Sequence, residues 1–339
     1  MNFELKQKIN PKLLLTILAL CTAFFGAIAI VYRSKGIVMI PLIASFLAVI
    51  MCIEKRRILS ITVFLILFMF ETYYGMFEYF TIISLSSLVL SIIIALCYLN
   101  GVRKSQCALY STISVVLSLI ITLILYLIHE FNDSSISNLL DHFISFYNVI
   151  KEKAIIYFDT SIQQSSFDKD LLSTELLNEM FDAYLNCMIA IVSILAFLIV
   201  GITHKLFTSL IRRCEKNTDK INSWDFIPSS VFAYAYFIMA FVALFVSDPE
   251  NTLSVSLVNL HLIFMFVFAY VGFKFINVMM KFNGRNPFLS SLILLTLTFV
   301  FSSFAIQLLA IIGAILATKY DKIIQNHDFS NNNLSNNRR

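Results

Sequence analysis

Five apolar stretches lie between residues 13 and 128, divided only by short polar punctuation, and about four more follow residue 182. A segment of about 20 apolar residues crosses a bilayer as an α-helix, because no water is available there for unpaired backbone amides. The pattern therefore predicts an all-α, polytopic transmembrane helix bundle of about nine to ten spans, at 13–32, 36–53, 58–75, 80–99, 108–128, 183–204, 230–247, 253–280 and 287–318. Charged residues make up 14% of the chain, against about 25% in a soluble domain. The third stretch is mostly apolar only from Ile58 to Phe70, so it must continue through Glu71, Tyr73 and Tyr74 to reach across.

Basic residues set the threading, since short loops rich in Lys and Arg stay on the cytoplasmic side. Lys55-Arg56-Arg57, Arg103-Lys104 and the 205–229 segment with Lys205, Arg212, Arg213, Lys216 and Lys220 are expected inside. Segment 129–182 is acid-rich and is expected outside. The N-terminus then lies in the cytoplasm, in a cell (inner) membrane, with Arg33 and Lys35 as a local exception. Lys6, Lys8 and Lys12 before an apolar run imitate a signal peptide, but a run over 13–32 exceeds the usual 7–15-residue hydrophobic region, so a retained first helix is expected. Residues 287–318 would make a helix of roughly 48 Å against about 30 Å of hydrocarbon. One tilted helix or a hairpin turning near Ser302-Ser303 answers this; the hairpin is the preferred expectation, and it returns the C-terminus to the cytoplasm.

The expected organisation is a first bundle over 1–128, an extracytoplasmic amphipathic helical segment over 129–182, a second bundle over 183–320 and a disordered tail over 321–339. In the outer segment Ile136, Leu139, Leu140, Phe143, Phe146, Tyr147 and Ile150 recur at helical spacing with Asp141, Ser145 and Asn148 between them. This predicts an amphipathic helix on the outer leaflet or capping the bundle. A second helix is expected after Ser165-x-x-Asp168, running through Leu171 to Met180 into the sixth span.

Few residues carry chemistry. No metalloprotease, serine-hydrolase or nucleotide-loop motif occurs, so catalytic residues are assigned to none, and no cofactor is expected. The six cysteines form no C-x-x-C pair and the five histidines stand at no ligand spacing, so no metal site is expected and the cysteines read as small apolar filler. The basic residues sit in loops rather than on one face, which argues against nucleic acid. Glu71 and Glu78 are seven residues apart, on one face if a helix is continuous, beside Tyr73, Tyr74 and Tyr79. They form either a ligand-binding mouth or a wet interfacial loop. Ala19, Ala23 and Ala27 repeat every fourth residue on the first span, a stripe that serves either a partner helix or packing in the bundle. Lys274, His261, Asn186 and Gln307 interrupt spans; each is open to a packing role as well as a functional one.

The order of elements, the stretch Ile221-Asn-Ser-Trp224-Asp-Phe-Ile-Pro228 before a span, and Ala317-Thr-Lys-Tyr320-Asp321-Lys322 at the end of another resemble the YybS-like family of bacterial membrane proteins, over about residues 10–325. Trp224 and Pro228 carry most of the likeness. The resemblance implies a relation to the substrate-binding S components of energy-coupling-factor transporters, which dock a membrane partner through an Ala-x-x-x-Ala stripe on their first helix; Ala19, Ala23 and Ala27 match it. The long outer segment and the additional spans depart from that pattern. The leading expectation is a solute-binding, transport-associated component, with the lipid bilayer, a small-molecule solute and a membrane protein on helix 1 as partners. The rivals are an envelope scaffold binding through the 133–181 helices and a membrane enzyme acting on lipid-linked substrates.

Overall fold

The computed structural model describes residues 11–31, 33–54, 77–102, 104–131, 135–164, 174–214, 228–243, 251–282 and 304–319, with isolated positions besides. Among them every regular element is helical: α1 (Pro11–Val31), α2 (Ile40–Glu54), α3 (Phe77–Leu99), α4 (Lys104–Phe131), α5 (Leu139–Gln164), α6 (Thr174–Asn186), α7 (Met188–Cys214), α8 (Ser230–Ala243), α9 (Thr252–Phe282) and α10 (Phe304–Lys319), with short 3-10 turns at Arg33–Met39 and Ile136–Asn138. Segments Gly36–Ile53, Gln106–Phe131, Met188–Arg212 and Thr252–Met280 are long and apolar enough to cross a membrane, and Leu15–Gly26, Ile83–Leu99, Ser230–Ala243 and Phe304–Lys319 are shorter apolar helices. The third predicted span (58–75), the Ser165-x-x-Asp168 cap, the turn near Ser302-Ser303 and the tail over 321–339 lie outside the described residues.

The chain divides into two compact units. The first contains α1 to α5, α6 to Asp182, and α7 from Leu195 onward. α2 is its centre: Ile43, Ala44, Ser45, Leu47, Ala48, Val49 and Ile50 are almost wholly buried, as expected of a helix apolar on every side. Pro41 stands in its first turn, where the missing N–H costs no helical bond. α1 packs beside it through Phe25 stacked on Phe46 (centroids 5.9 Å apart), over a cluster of Ala29, Ile40, Ile43, Leu47 and Ile83. The connecting turn fits only because residue 36 is glycine: a Cβ there would stand 2.6 Å from the Ala29 carbonyl oxygen.

α3 ends in a Schellman turn. Val102 N–H bonds the Cys97 carbonyl, Gly101 N–H bonds the Tyr98 carbonyl, and Gly101 takes φ +64° at the position glycine occupies most cheaply. The turn hands the chain to α4, whose two faces are sorted for a lipid solvent. Leu109, Ile113, Leu117, Ile120, Ile121 and Leu125 point outward, while Ser111, Ser114, Val115, Ser118 and Thr122 are buried.

Two expectations are corrected. The outer amphipathic helix is longer than its 136–150 pattern, running to Gln164 as one helix. Lys205 and Arg212 belong to the last turns of α7, not to a loop after residue 204: Phe207 and Ile211 (1% and 0% exposed) maintain a buried face while both cations stay exposed.

The second unit contains residues 183–194 with α8, α9 and α10. Its core is Ala233, Tyr236, Phe268, Ala269, Leu309, Ala310, Ala314 and Ala317, with Phe264, Met265, Phe273, Ile276 and Ile306 against it. α9 and α10 cross at Gly272 and Gly313. A Cβ on Gly272 would lie 2.0 Å from the Leu309 carbonyl oxygen, and one on Gly313 would lie 2.0 Å from that of Phe268. The backbones touch, the arrangement small residues permit between helices in lipid.

Candidate functional sites

Of the mouth predicted from Glu71, Tyr73, Tyr74 and Glu78, only Glu78 falls among the described residues, in the first turn of α3. Trp224 lies outside them as well, whereas Pro228 is buried two residues before α8. On α1, Leu18, Thr22 and Ala29 are buried in the first unit. Ala23 is exposed on the other side with Leu13, Ile17, Leu20 and Phe24, and Ala19 is half-buried between the two faces. The side chain of Ala27 lies outside the described residues.

Two polar arrangements emerge that the sequence reading passed over. The first is a hydroxyl seam between α3 and α4. Ser84, Ser87 and Ser91 on one helix and Ser111, Ser114, Ser118 and Thr122 on the other are all buried, each set at helical spacing. Ser86 and Ser118 are 2.8 Å apart. Ser118 already donates its hydrogen to the Val115 carbonyl, so Ser86 is the donor across the helices. Ser91, Ser114 and Thr122 likewise donate within their own helices. Hydroxyls committed in this way let two helices approach closely, while the Ser87 and Ser111 hydroxyls are buried in the same seam without a hydrogen-bond partner among the described residues. The signal in the sequence was the spacing of the serines.

The second arrangement is in the other unit, where α6 meets α7. Asn259 of α9, 3% exposed, accepts the Ala190 N–H through Oδ1 (2.9 Å). Its Nδ2 donates to the carbonyls of Asn186 (2.5 Å) and Val255 (2.8 Å). Asn186 C=O and Ala190 N–H are the i, i+4 pair that an unbroken helix would join. The carboxamide stands between them, and the helix breaks at Cys187. A side chain inserted into the backbone ladder is a recognised cause of a kink, and here it satisfies both opened groups. Asn186 thus contributes its backbone rather than its amide, and Gln307 is exposed on α10. Two residues along α9, His261 stacks parallel on Tyr236 with centroids 5.7 Å apart and 6° between planes. An amide in the middle of an apolar run was the available clue to Asn259.

Outside the spans, α5 and α6 are joined by the Tyr147 hydroxyl donating to the Phe181 carbonyl and by Lys151 bonding Asp182 at 2.7 Å. Burial, and then the neighbouring Asp182 carboxylate, push the Tyr147 phenol above its ordinary range. Cys52, Cys97 and Cys107 are buried thiols, and Cys21 and Cys187 are half-buried. Among the described residues, no group of three or more His, Cys, Asp or Glu side chains is placed to hold a metal ion.

Long apolar helices sorted in this way, small polar residues inward and large aliphatics outward, define an all-helical, multi-span membrane protein. The chain belongs to the DUF2232 family, described as predicted membrane proteins with a domain of unknown function, whose model matches residues 13–315. No curated protein and no solved structure matches it.

Proposed function

We propose that this chain is a solute-binding, transport-associated component of the cytoplasmic membrane, similar to the YybS-like proteins and to transporter S components, that docks a membrane partner through α1 and performs no catalysis itself. The observation that carries the reading is the division of α1. One side is spent on the bundle, and the other presents Ala23 among Leu20, Phe24 and Ile17, uncharged and uncovered by its own unit. A small residue framed by large apolar ones suits a second helix that must approach closely within lipid. In this reading Ala19, Ala23 and Ala27 are the docking stripe. Glu71, Tyr73, Tyr74 and Glu78 line the mouth that takes up the solute on the extracytoplasmic side, and the helices of 133–181 gate it. The N-terminus lies in the cytoplasm.

The test is copurification of membrane proteins with the tagged chain, wild type against Ala23→Leu and Ala19→Leu. A specific membrane partner held by the wild type and lost from both variants at equal abundance is the expected result. No partner, or one retained by both variants, overturns the docking role. For the solute, thermal unfolding in detergent is followed across a panel of vitamins and divalent metals. A shift that disappears in Glu71→Gln/Glu78→Gln supports the mouth, and a flat panel counts against it.

A further inference from the structure

The first unit assigns a location to α5 by a simple ruler. The membrane-crossing part of α4, Gln106–Phe131, has 26 residues. At 1.5 Å per residue it is roughly 39 Å long against about 30 Å of hydrocarbon, so about 4–5 Å at each end stands among headgroups. Tyr126 precedes the end of α4 by five residues, about 7.5 Å of helix, which puts its ring near the hydrocarbon boundary. Phe146 of α5 meets that ring edge-on at 5.2 Å, and His142 stacks on Phe131 at 4.4 Å. The first half of α5 is therefore held at the depth of the membrane surface, not out in water.

Its faces are arranged for that depth. At 3.6 residues per turn, Phe143, Tyr147 and Ala154 fall on one line, and all three are at least half-buried against the protein. On one flank of that line stand Leu140 and Ile144, 67% and 43% exposed; on the other stand Ile150 and Tyr157, 44% and 71% exposed. The sector opposite the line carries a narrow polar strip of Asp141, Ser145, Asn148 and Glu152, all exposed. Val149 and Ile156, 47% and 65% exposed, stand beside it on the side of Tyr157, with the exposed Lys153 between them and that flank. His142 and Phe146, which touch α4, lie on the Tyr157 side. A narrow polar strip bordered on both sides by exposed apolar residues is the pattern of a helix lying in the membrane surface with only that strip toward water.

We infer that α5 is an interfacial helix whose two apolar flanks, Leu140 with Ile144 and Ile150 with Tyr157, are seated in the headgroup–acyl boundary of the lipid bilayer. The occupant of the exposed apolar surface is lipid, because the Tyr126–Phe146 and Phe131–His142 contacts hold α5 at the end of α4, whose outward face is aliphatic up to Leu125. The inference uses only the first unit and stands whether or not the chain binds a solute or docks through α1.

The unmodified full-length protein is reconstituted in phosphatidylcholine–phosphatidylglycerol vesicles containing a phospholipid with a photoactivatable group near the glycerol end of its acyl chain. Insertion sites are then mapped by mass spectrometry. Leu140, Ile144, Ile150 and Tyr157 are expected to be labelled and Asn148 and Glu152 spared. A second measurement uses the single tryptophan. In the Trp224→Phe background, Ile144→Trp and Ile150→Trp are expected to be quenched by acyl-brominated lipid about threefold more than Asn148→Trp. Equal quenching at all three positions, or absence of lipid label from α5, overturns the inference. So does protection of these flanks by a second copy of the chain or by another protein, detected as a crosslink that replaces the lipid label.

Discussion

The two units hold their helices together by opposite means. In the first, α3 and α4 meet through side chains, a row of hydroxyls that fill the space between them. In the second, α9 and α10 meet through side chains that are missing, so that Gly272 and Gly313 bring one backbone onto the other. Lipid gives neither pair a hydrophobic drive to associate, so fit and hydrogen bonding must do it. A hydroxyl can be lost with little change of shape. A glycine at a backbone crossing cannot gain even one carbon without moving a helix.

That contrast can be broken, beginning with the largest effect. Gly313→Ala places a methyl group against the Phe268 carbonyl, where no flexible side chain can yield. It is expected to cost about 3 kcal/mol, read from unfolding in mixed micelles. A loss no greater than that of an exposed alanine-to-leucine change would refute the backbone contact. Asn259→Leu comes next, at about 2 kcal/mol. The loss is moderated because Ala190 N–H and Asn186 C=O are then free to bond each other. Amide exchange at Ala190 should accordingly remain slow in the variant, and a fast amide there would show that the ladder does not close.

In the first unit the penalties shrink. Tyr147→Phe removes the bond to the Phe181 carbonyl and should cost about 1 kcal/mol. The phenol's pKa is raised on folding, first by burial and then by Asp182. Its contribution is therefore whole below the ordinary tyrosine pKa and is lost as pH climbs through the raised value. The wild type should lose its advantage over Tyr147→Phe in alkaline solution only; a difference that vanishes near neutrality would contradict the assignment. Ser86→Ala should cost least, about 0.6 kcal/mol, since one interhelical hydrogen bond goes and the packing is retained. A cost equal to that of Gly313→Ala would erase the distinction between the units.

The helices themselves were legible because hydrocarbon thickness imposes a length on apolar runs, and α1, α8 and α9 begin within two residues of where composition alone puts them. The far end of α7 was not, because the positive-inside reading treats cations as loop markers and Lys205 and Arg212 ride on a helix whose other face is buried. Asn259 escaped notice because an amide among leucines reveals nothing of its partner, and its partner is backbone rather than side chain. Gly272 and Gly313 belong to different helices, and no local pattern pairs them.

On α4, Ser114, Ser118 and Thr122 each bond a carbonyl of their own helix and are satisfied without α3, whereas Ser86 of α3 finds its acceptor only across the helices. Asn259 is different: its carboxamide reaches full satisfaction only when the 186–190 backbone, made earlier in synthesis, opens to receive it. Until α9 arrives, that stretch has only itself to bond and is free to stay straight. The bend at Cys187 is then a late event in the life of the chain, imposed by a helix translated after it.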